Sequence, residues 1–420
     1  MNSSATAHRR LIIAFIMLVW FVISFVTNLI GPLMPIIIHD FDLSLGLAGF
    51  LPFSFFLAYG LISIPAGTLV EAKGPRVTML AAFALNLAGS LVIALVPGYA
   101  TAVCGLFVIG LGMAMLQVVI NPLTRTVGGE AHFAFFSVMG QLVFGFASFV
   151  SPLVFEWMMA RPDAAGQALV WVAFYWAFTL LFFALIGLTA RLPIPRVELK
   201  DDEKGGGLAT YLELLRRRDV RLFFVGIVAY VGTEQTLADW MSEFLSHYHH
   251  FSPTAEAADA VGRFWGLMSV GCVLGLLLLK LLDARIVLAG FSLLAIGCVA
   301  LALFGPAAVS LQAFAFAGFF LSVMFSVVFS LGLNSVPQHH GALSGILCTG
   351  ILGGAVVPLL VGVLGDRIGL RGAMSVVFAT LAFILSVAFW ARPLVRNQTT
   401  TPQALLKALL ASLNPARQRG

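Results

Sequence analysis

The residues of this chain that can do chemistry sit inside long apolar runs, where a polar side chain is costly to keep. The stretch Phe223–Glu243 holds Glu234 about midway, with Asp239 and Glu243 further along it. Removal from water disfavours an ionised carboxylate, so an acid placed there can bind and release a proton. With nearby hydroxyls and freed carbonyls it can hold Na⁺ instead. A structural Glu bonded to a neighbouring helix is the competing reading. Gly232, Thr233 and Thr236 are what a locally unwound helix around Glu234 would tolerate. Asp239 and Glu243 are spaced i,i+4, so they share a face near the end of the run, where they are either a second ion site or simply solvated.

Carboxamides form a second group: Asn28, Gln117, Asn121 and Gln141 all lie within apolar runs. Each donates and accepts, which suits a ligand rich in hydroxyls. Tyr230, Trp240 and Trp265 offer aromatic faces for such a ligand, against packing or interfacial anchoring as the alternative. Trp171, Trp176 and Trp390 are read as anchors. Asn121 precedes Pro122, so ending a helix competes with binding. Cys104, Cys272, Cys298 and Cys348 match no metal spacing and read as small packing residues. The chain has no P-loop, no G-x-S-x-G elbow and no soluble segment large enough for a catalytic domain. An enzyme is therefore not expected, nor is a metal or a cofactor beyond a coupling ion.

The elements that must position these groups follow from composition. Sixty per cent of the residues are hydrophobic and ten per cent charged, and the charges cluster between apolar runs such as Leu11–Ile38 and Ala168–Ala190. A bilayer crossing takes about 20 such residues, so the chain reads as an all-α membrane protein with about twelve spans. They are placed at 11–38, 44–70, 77–96, 99–121, 133–158, 168–190, 221–247, 260–280, 285–305, 307–335, 341–365 and 372–391. The net charge of +5 is read as orientation rather than nucleic-acid binding. With the N-terminus in the cytoplasm, only Arg161, Arg263, Arg367 and Arg371 of the 24 basic residues fall on the other side. Both termini are then cytoplasmic, and Arg9-Arg10 precede an uncleaved first helix. Arg191–Val220 is polar, contains Pro193, Pro195 and three consecutive glycines, and divides the spans six and six. The expected organisation is a six-helix bundle over 1–190, a cytoplasmic linker over 191–220 with a surface helix near Tyr211–Leu215, a second bundle over 221–391 and a cytoplasmic tail over 392–420.

The halves are weakly alike. Ala147–Val154 in the fifth span resembles Gly353–Leu360 in the eleventh, with Pro152 and Pro358 aligned. Related halves place a substrate between them near the bilayer midplane. Between the second and third spans, Gly67, Glu71, Gly74 and Arg76 resemble the cytoplasmic signature of the major facilitator superfamily, where such residues latch one conformation; Glu71 stands where Asp is usual. A second copy, Gly362–Arg371 with Asp366, falls on the opposite side of the membrane, where it is either a charged tight turn or an outer gate latch.

Five motifs in order narrow the resemblance: Ile64-Pro-Ala-Gly67, Leu116-Gln117 through Asn121-Pro122, Tyr230-Val-Gly232 followed by Glu234, Phe329-Ser-Leu-Gly332, and Gly353-Gly-Ala-Val-Val-Pro358. Together they resemble the fucose–galactose–glucose:cation symporter family, the L-fucose permease group. That resemblance implies two six-helix bundles and uptake of a neutral hexose across an inner membrane, driven by H⁺ or Na⁺. It also marks two departures. Gly31 stands where the permease pattern has an acid in the first span, and Gln117 where it has a Glu in the fourth. Coupling is therefore expected to rest on Glu234 and Asp239, and sugar binding on Asn28, Gln117, Asn121, Gln141, Tyr230, Trp240 and Trp265. A monomer in the lipid bilayer, with no nucleic-acid partner, is expected. The alternatives are an efflux antiporter for lipophilic compounds or metabolites, and a non-transporting sensor on the same scaffold.

Overall fold

The computed structural model describes residues 3–128, 133–160, 169–195, 208–336 and 340–394. The first span is made of α1 (Ser3–Thr27) and α2 (Ile30–Phe41), and the second of α3 (Leu45–Lys73). Then follow α4 (Pro75–Leu95), α5 (Tyr99–Gly128), α6 (Phe133–Met159) and α7 (Val172–Arg191). A short helix, α8 (Leu208–Arg216), leads into α9 (Arg218–His249), α10 (Glu256–Leu281) and α11 (Ala284–Phe304). The tenth span is α12 (Ala307–Leu321) with α13 (Met324–Leu333). The eleventh is α14 (His340–Thr349), a 3₁₀ turn at Gly350–Leu352 and α15 (Gly353–Ile368); the twelfth is α16 (Leu370–Met374) with α17 (Val376–Trp390). Helices are what a bilayer demands, because no water is present there to satisfy an open backbone.

Eleven of these segments are long and apolar enough to cross a membrane. The other long helix, α9, has 32 residues but a polar middle. The chain is thus a multi-pass helical membrane protein. Its helix boundaries have identifiable causes. Ser44 accepts from Leu47 N (3.2 Å) at the start of α3, and Asp283 from Arg285 N (2.9 Å) at the start of α11. Gly74 and Gly369 turn the chain with φ of 83° and 79°, a conformation that favours glycine. At the start of α9, Asp219 takes Arg217 in a two-point ion pair (2.6 and 3.1 Å) and accepts from Val220 N, which holds its carboxyl below the usual carboxylate range.

The end of the bundle bearing Arg9 and the α7–α9 connection is called the near end, and the end with the turns at Asp42 and Gly369 the far end. Helices approach closely through glycine. Gly89 of α4 and Gly105 of α5 face each other backbone to backbone: a Cβ on Gly89 would lie 2.7 Å from the Gly105 carbonyl oxygen, and one on Gly105 2.9 Å from that of Gly89. The two halves meet along three seams. α3 lies against α15, where Gly49 faces Leu359 and Gly60 faces Leu352. α6 lies against α10, where Gly262 faces Phe149 and Pro152. α2 lies against α9, where Gly31 rests on the Ala238 carbonyl. The matching sequences around Pro152 and Pro358 therefore sit on α6 and α15, each of which crosses to the opposite half.

One expectation needs correction, and one allowance is not taken up. A break around Glu234, which its neighbours would tolerate, is not there: α9 is continuous, and the interruptions within spans fall at Asn28-Leu29, Ser322-Val323, Gly350–Leu352 and Ser375. Gly232 is used for packing against Gly353 and Val357, and Thr233 bonds back to the Ala229 carbonyl (2.8 Å) and to Thr380 (2.6 Å), which keeps the helix wound. Trp171 is not an interfacial anchor. It is fully buried and its indole N–H donates to Asp40 (2.9 Å), tying the first span to the sixth.

Replacing Gly105 with Val forces a branched side chain onto the backbone of α4, and is expected to lower stability by about 1–3 kcal/mol, the range for overpacked interiors. Gly187 has nothing within 4 Å of its Cβ position. A Gly187→Val variant melting alongside the parent while Gly105→Val melts earlier is the expected outcome; equal melting of both variants refutes the backbone contact.

Candidate functional site

The site is organised by α9, which touches α2 of the other half and α10, α13, α15 and α17 of its own. Its faces are divided by what they meet. Gly232 lets α15 come close and Thr233 bonds α17, so neither faces the seam. Glu234 stands at the middle of the helix, half-buried, and its Oε1 accepts from the Tyr230 hydroxyl (2.7 Å) one turn earlier. The Tyr230 ring leans on Phe325 of α13 at 5.8 Å between centroids. That makes Tyr230 a holder of the carboxyl rather than a free stacking face. Its hydroxyl can stabilise the carboxylate or, once Glu234 carries a proton, turn toward another acceptor.

Gln235, the next residue, is buried and directed at the seam. Gly354 of α15 leaves the room it needs: a Cβ there would lie 3.1 Å from Gln235 Cγ and 3.0 Å from the Phe56 ring of α3. A carboxamide and an aromatic ring from opposite halves thus meet beside Glu234. Sequence reading missed Gln235 because it looks like the plain neighbour of a more conspicuous acid. The signal available was its place beside Glu234 among Thr233, Thr236 and Asp239, the polar middle of α9.

Asp239 is not solvated. It is 3% exposed, its Oδ2 has no hydrogen-bond partner among the described residues, and Gly31 closes over it from the other half. A Cβ on Gly31 would run into the Ala238 carbonyl oxygen and lie 3.4 Å from the Asp239 Cα, so α2 packs on the α9 backbone at this acid. Glu243, one turn on, is half-buried.

Asn28 sits at the break between α1 and α2. Its Nδ2 donates to the Ser24 carbonyl (2.9 Å) and to Ser148 Oγ of α6 (3.0 Å), and Ser24 Oγ bonds Ser148 (2.6 Å) and the Phe144 carbonyl (2.6 Å). This network ties the first span to the fifth, so the Asn28 amide N–H is spent on structure. Gln117 is half-buried on α5. Trp240 is corrected as a stacking surface: it is fully buried, its indole donates to the Pro358 carbonyl (3.1 Å) and its ring lies against Gly362, leaving no face for a ligand in this conformation. Trp265 is 4% exposed with an indole N–H lacking a partner among the described residues. It packs edge-on against Phe264.

Of the near-end signature, Gly67 has nothing within 4 Å of its Cβ position, Gly74 makes the turn into α4, and Arg76 donates to the Ala190 carbonyl at the end of α7. Among the described residues, the Arg76 bond stays within its own half and no atom lies within 4 Å of the Gly67 Cβ position. The side chains of Asn121, Gln141 and Glu71 lie outside the described residues, as do residues 196–207 of the linker and the tail from 395 onward. No cluster of His, Cys, Asp and Glu among the described residues has the form of a metal site.

Residues 16–351 match the family model described as Major Facilitator Superfamily. A glucose/galactose transporter of Brucella abortus is 30% identical over 384 residues, covering 87% of this chain and 90% of the relative. The L-fucose-proton symporter of Escherichia coli is 25% identical over 398 residues, covering 88% and 90%. The fold is also that of a solved major facilitator transporter, FucP, in its outward conformation, with a TM-score of 0.65 at 21% identity over 92% of this chain and 99% of that one.

The Asn28 network generates a prediction. Asn28→Ala removes one donor from Ser148 Oγ and one of the two from the Ser24 carbonyl, which keeps the backbone N–H of residue 28 (3.0 Å), and a lost hydrogen bond of this kind costs about 0.5–1.5 kcal/mol. The expected result is an earlier melting transition in detergent. A variant that melts with the parent and instead binds ligand less tightly reassigns Asn28 to the ligand.

Proposed function

Because the chain belongs to the major facilitator superfamily and is a transporter rather than an enzyme, we propose that it imports a neutral, hexose-like sugar by ion-coupled symport. Support for the substrate class comes from relatives named for glucose, galactose and fucose. The observation that carries the mechanism is the triplet Tyr230–Glu234–Gln235 at the middle of α9, beside the seam. A carboxyl held by one hydroxyl, next to a carboxamide that faces the other half, can couple an ion to a hydroxyl-bearing ligand in a single place. Gln117 and Gln235 supply donor–acceptor pairs from opposite halves, and Phe56 supplies an apolar face for the sugar's C–H side.

In this reading the near end is cytoplasmic, the membrane is the inner one, and the protein works as a monomer. The far end is then the outer side, and the close contacts at Gly31, Gly46, Gly49 and Gly262 mark an outer gate that is shut. The sugar enters with the ion when that gate is open and leaves toward the near end when it has closed. Ion binding at Glu234 neutralises the carboxyl, which removes the penalty for enclosing it while the halves rock. Either H⁺ or Na⁺ serves that purpose.

Two measurements test the proposal. Glu234→Gln is expected to abolish gradient-driven accumulation of labelled glucose, galactose or fucose in vesicles while exchange of internal for external sugar continues. Undiminished accumulation removes Glu234 as the coupling group, and failure of the parent to exchange any of the three sugars sinks the substrate class. Gln117→Leu is expected to raise the sugar Kd roughly tenfold, since a lost hydrogen bond of about 1–1.5 kcal/mol corresponds to that factor. Isothermal titration of the purified protein reads it directly.

A further inference from the structure

The second copy of the glycine–acid signature, Gly362 to Arg371, ends in two features of different kinds. One is the turn at Gly369, where φ is 79°. The other is Asp366, on the last turn of α15. Its carboxylate crosses the seam: Oδ1 accepts from Leu45 N (2.7 Å) and Oδ2 from Gly46 N (2.8 Å), at the first turn of α3. The partners are 321 and 320 residues away in the chain, in the opposite half. A helix begins with N–H groups that have no partner within it, and an acid placed on them gains both hydrogen bonds and the field of the aligned peptides. Ser44 serves Leu47 N from within the same half. The start of α3 is therefore shared between a cap of its own and one lent by the other bundle.

We propose that Asp366 is the far-gate residue of the transport cycle: its carboxylate latches the two halves by capping α3, and so sets how the protein divides its time between far-end-closed and far-end-open states. The geometry suits a latch rather than a permanent bolt. Asp366 is exposed at its helix end. When the gate opens, water takes over both the carboxylate and the two N–H groups, so nothing is left buried and unpaired. Gly46 is part of the device, because a Cβ there would lie 2.6 Å from Asp366 Oδ2. Gly362 and Gly365 let Leu45 settle against α15 beside it. The signature at the near end of α3 and Asp366 at the far end of α15 thus lie at opposite ends of the same helix pair. The far latch is engaged in this structure, while Gly67 at the near end faces open space.

The inference does not depend on the identity of the sugar, and neither does its test. Spin labels are placed at Val96 and Ile368, both 61% exposed and on opposite halves at the far end, in a chain with Cys104, Cys272, Cys298 and Cys348 replaced by Ala. Distances between them are measured by pulsed electron resonance on the full-length protein. Asp366→Ala is expected to raise the ratio of long-distance to short-distance populations about tenfold, the factor that corresponds to about 1.4 kcal/mol. Asp366→Asn keeps one acceptor and is expected to fall between. Gly46→Ala, which displaces the carboxylate without removing it, should match Asp366→Ala and gives the answer should that variant fold poorly. Ser44→Ala deletes a cap inside one half and should leave the distribution where it was. Superimposable distributions for the parent, Asp366→Asn and Gly46→Ala overturn the proposal. So does an equal shift in Ser44→Ala, which would make the effect one of α3 stability alone.

Discussion

Backbone touching backbone across the seam is the constraint on which the rest of this architecture depends. Apolar side chains gain little by meeting one another in lipid, because hydrocarbon is already around them. What draws the halves together is close approach, and glycine is placed where that approach is closest: Gly31 on Ala238, Gly49 on Leu359, Gly46 under Asp366. Each contact is shallow and made by a small group, so the same surfaces can part without tearing an interdigitated core. The deeper packing, such as Gly89 against Gly105, stays within one half. The division between what moves and what does not is thereby written in which helices share their glycines with whom.

Within that frame, polar groups differ in how fully their neighbours answer them. Asn28, Ser24 and Ser148 form a closed network between α1 and α6, and Asp40 holds Trp171 and Leu169 N. These groups are paired across helices. Glu234 accepts from the Tyr230 hydroxyl and remains half-buried, while Gln235 reaches the seam. Asp239 goes further, fully enclosed with one oxygen unanswered. The tied groups of the first and sixth spans thus contrast with the unanswered carboxyl oxygen on α9.

The fold was legible because apolar length and basic breaks are properties of composition, and the bilayer reads them in the same way. The site was legible only in part, for reasons particular to each residue. Glu234 stood out because an acid in the middle of a long run has few innocent explanations. Trp240 and Trp171 misled because an indole's face and its N–H are equally suited to ligand, lipid or carbonyl, and only the neighbour decides; those neighbours, Pro358 and Asp40, lie 118 and 131 residues away. Gly232 would tolerate an unwound helix as well as a close neighbour, and the structure uses it as a packing surface for α15. The interruption at Asn28-Leu29 escaped notice, since neither residue breaks helices on propensity. Asp366 could be seen as an acid in a turn, but nothing local to it points to the start of α3.

The polar middle of α9 has a consequence for how the protein is made. A single Asp or Glu at the centre of a segment raises the free energy of its entry into lipid by about 2.5–3.5 kcal/mol, and α9 carries Glu234 and Asp239 there with Glu243 close behind. Such a segment does not partition from the translocation channel by itself. In the folded protein its walls are α2 of the first bundle and α10, α13, α15 and α17 of its own, so the least lipophilic helix is the one most enclosed by others.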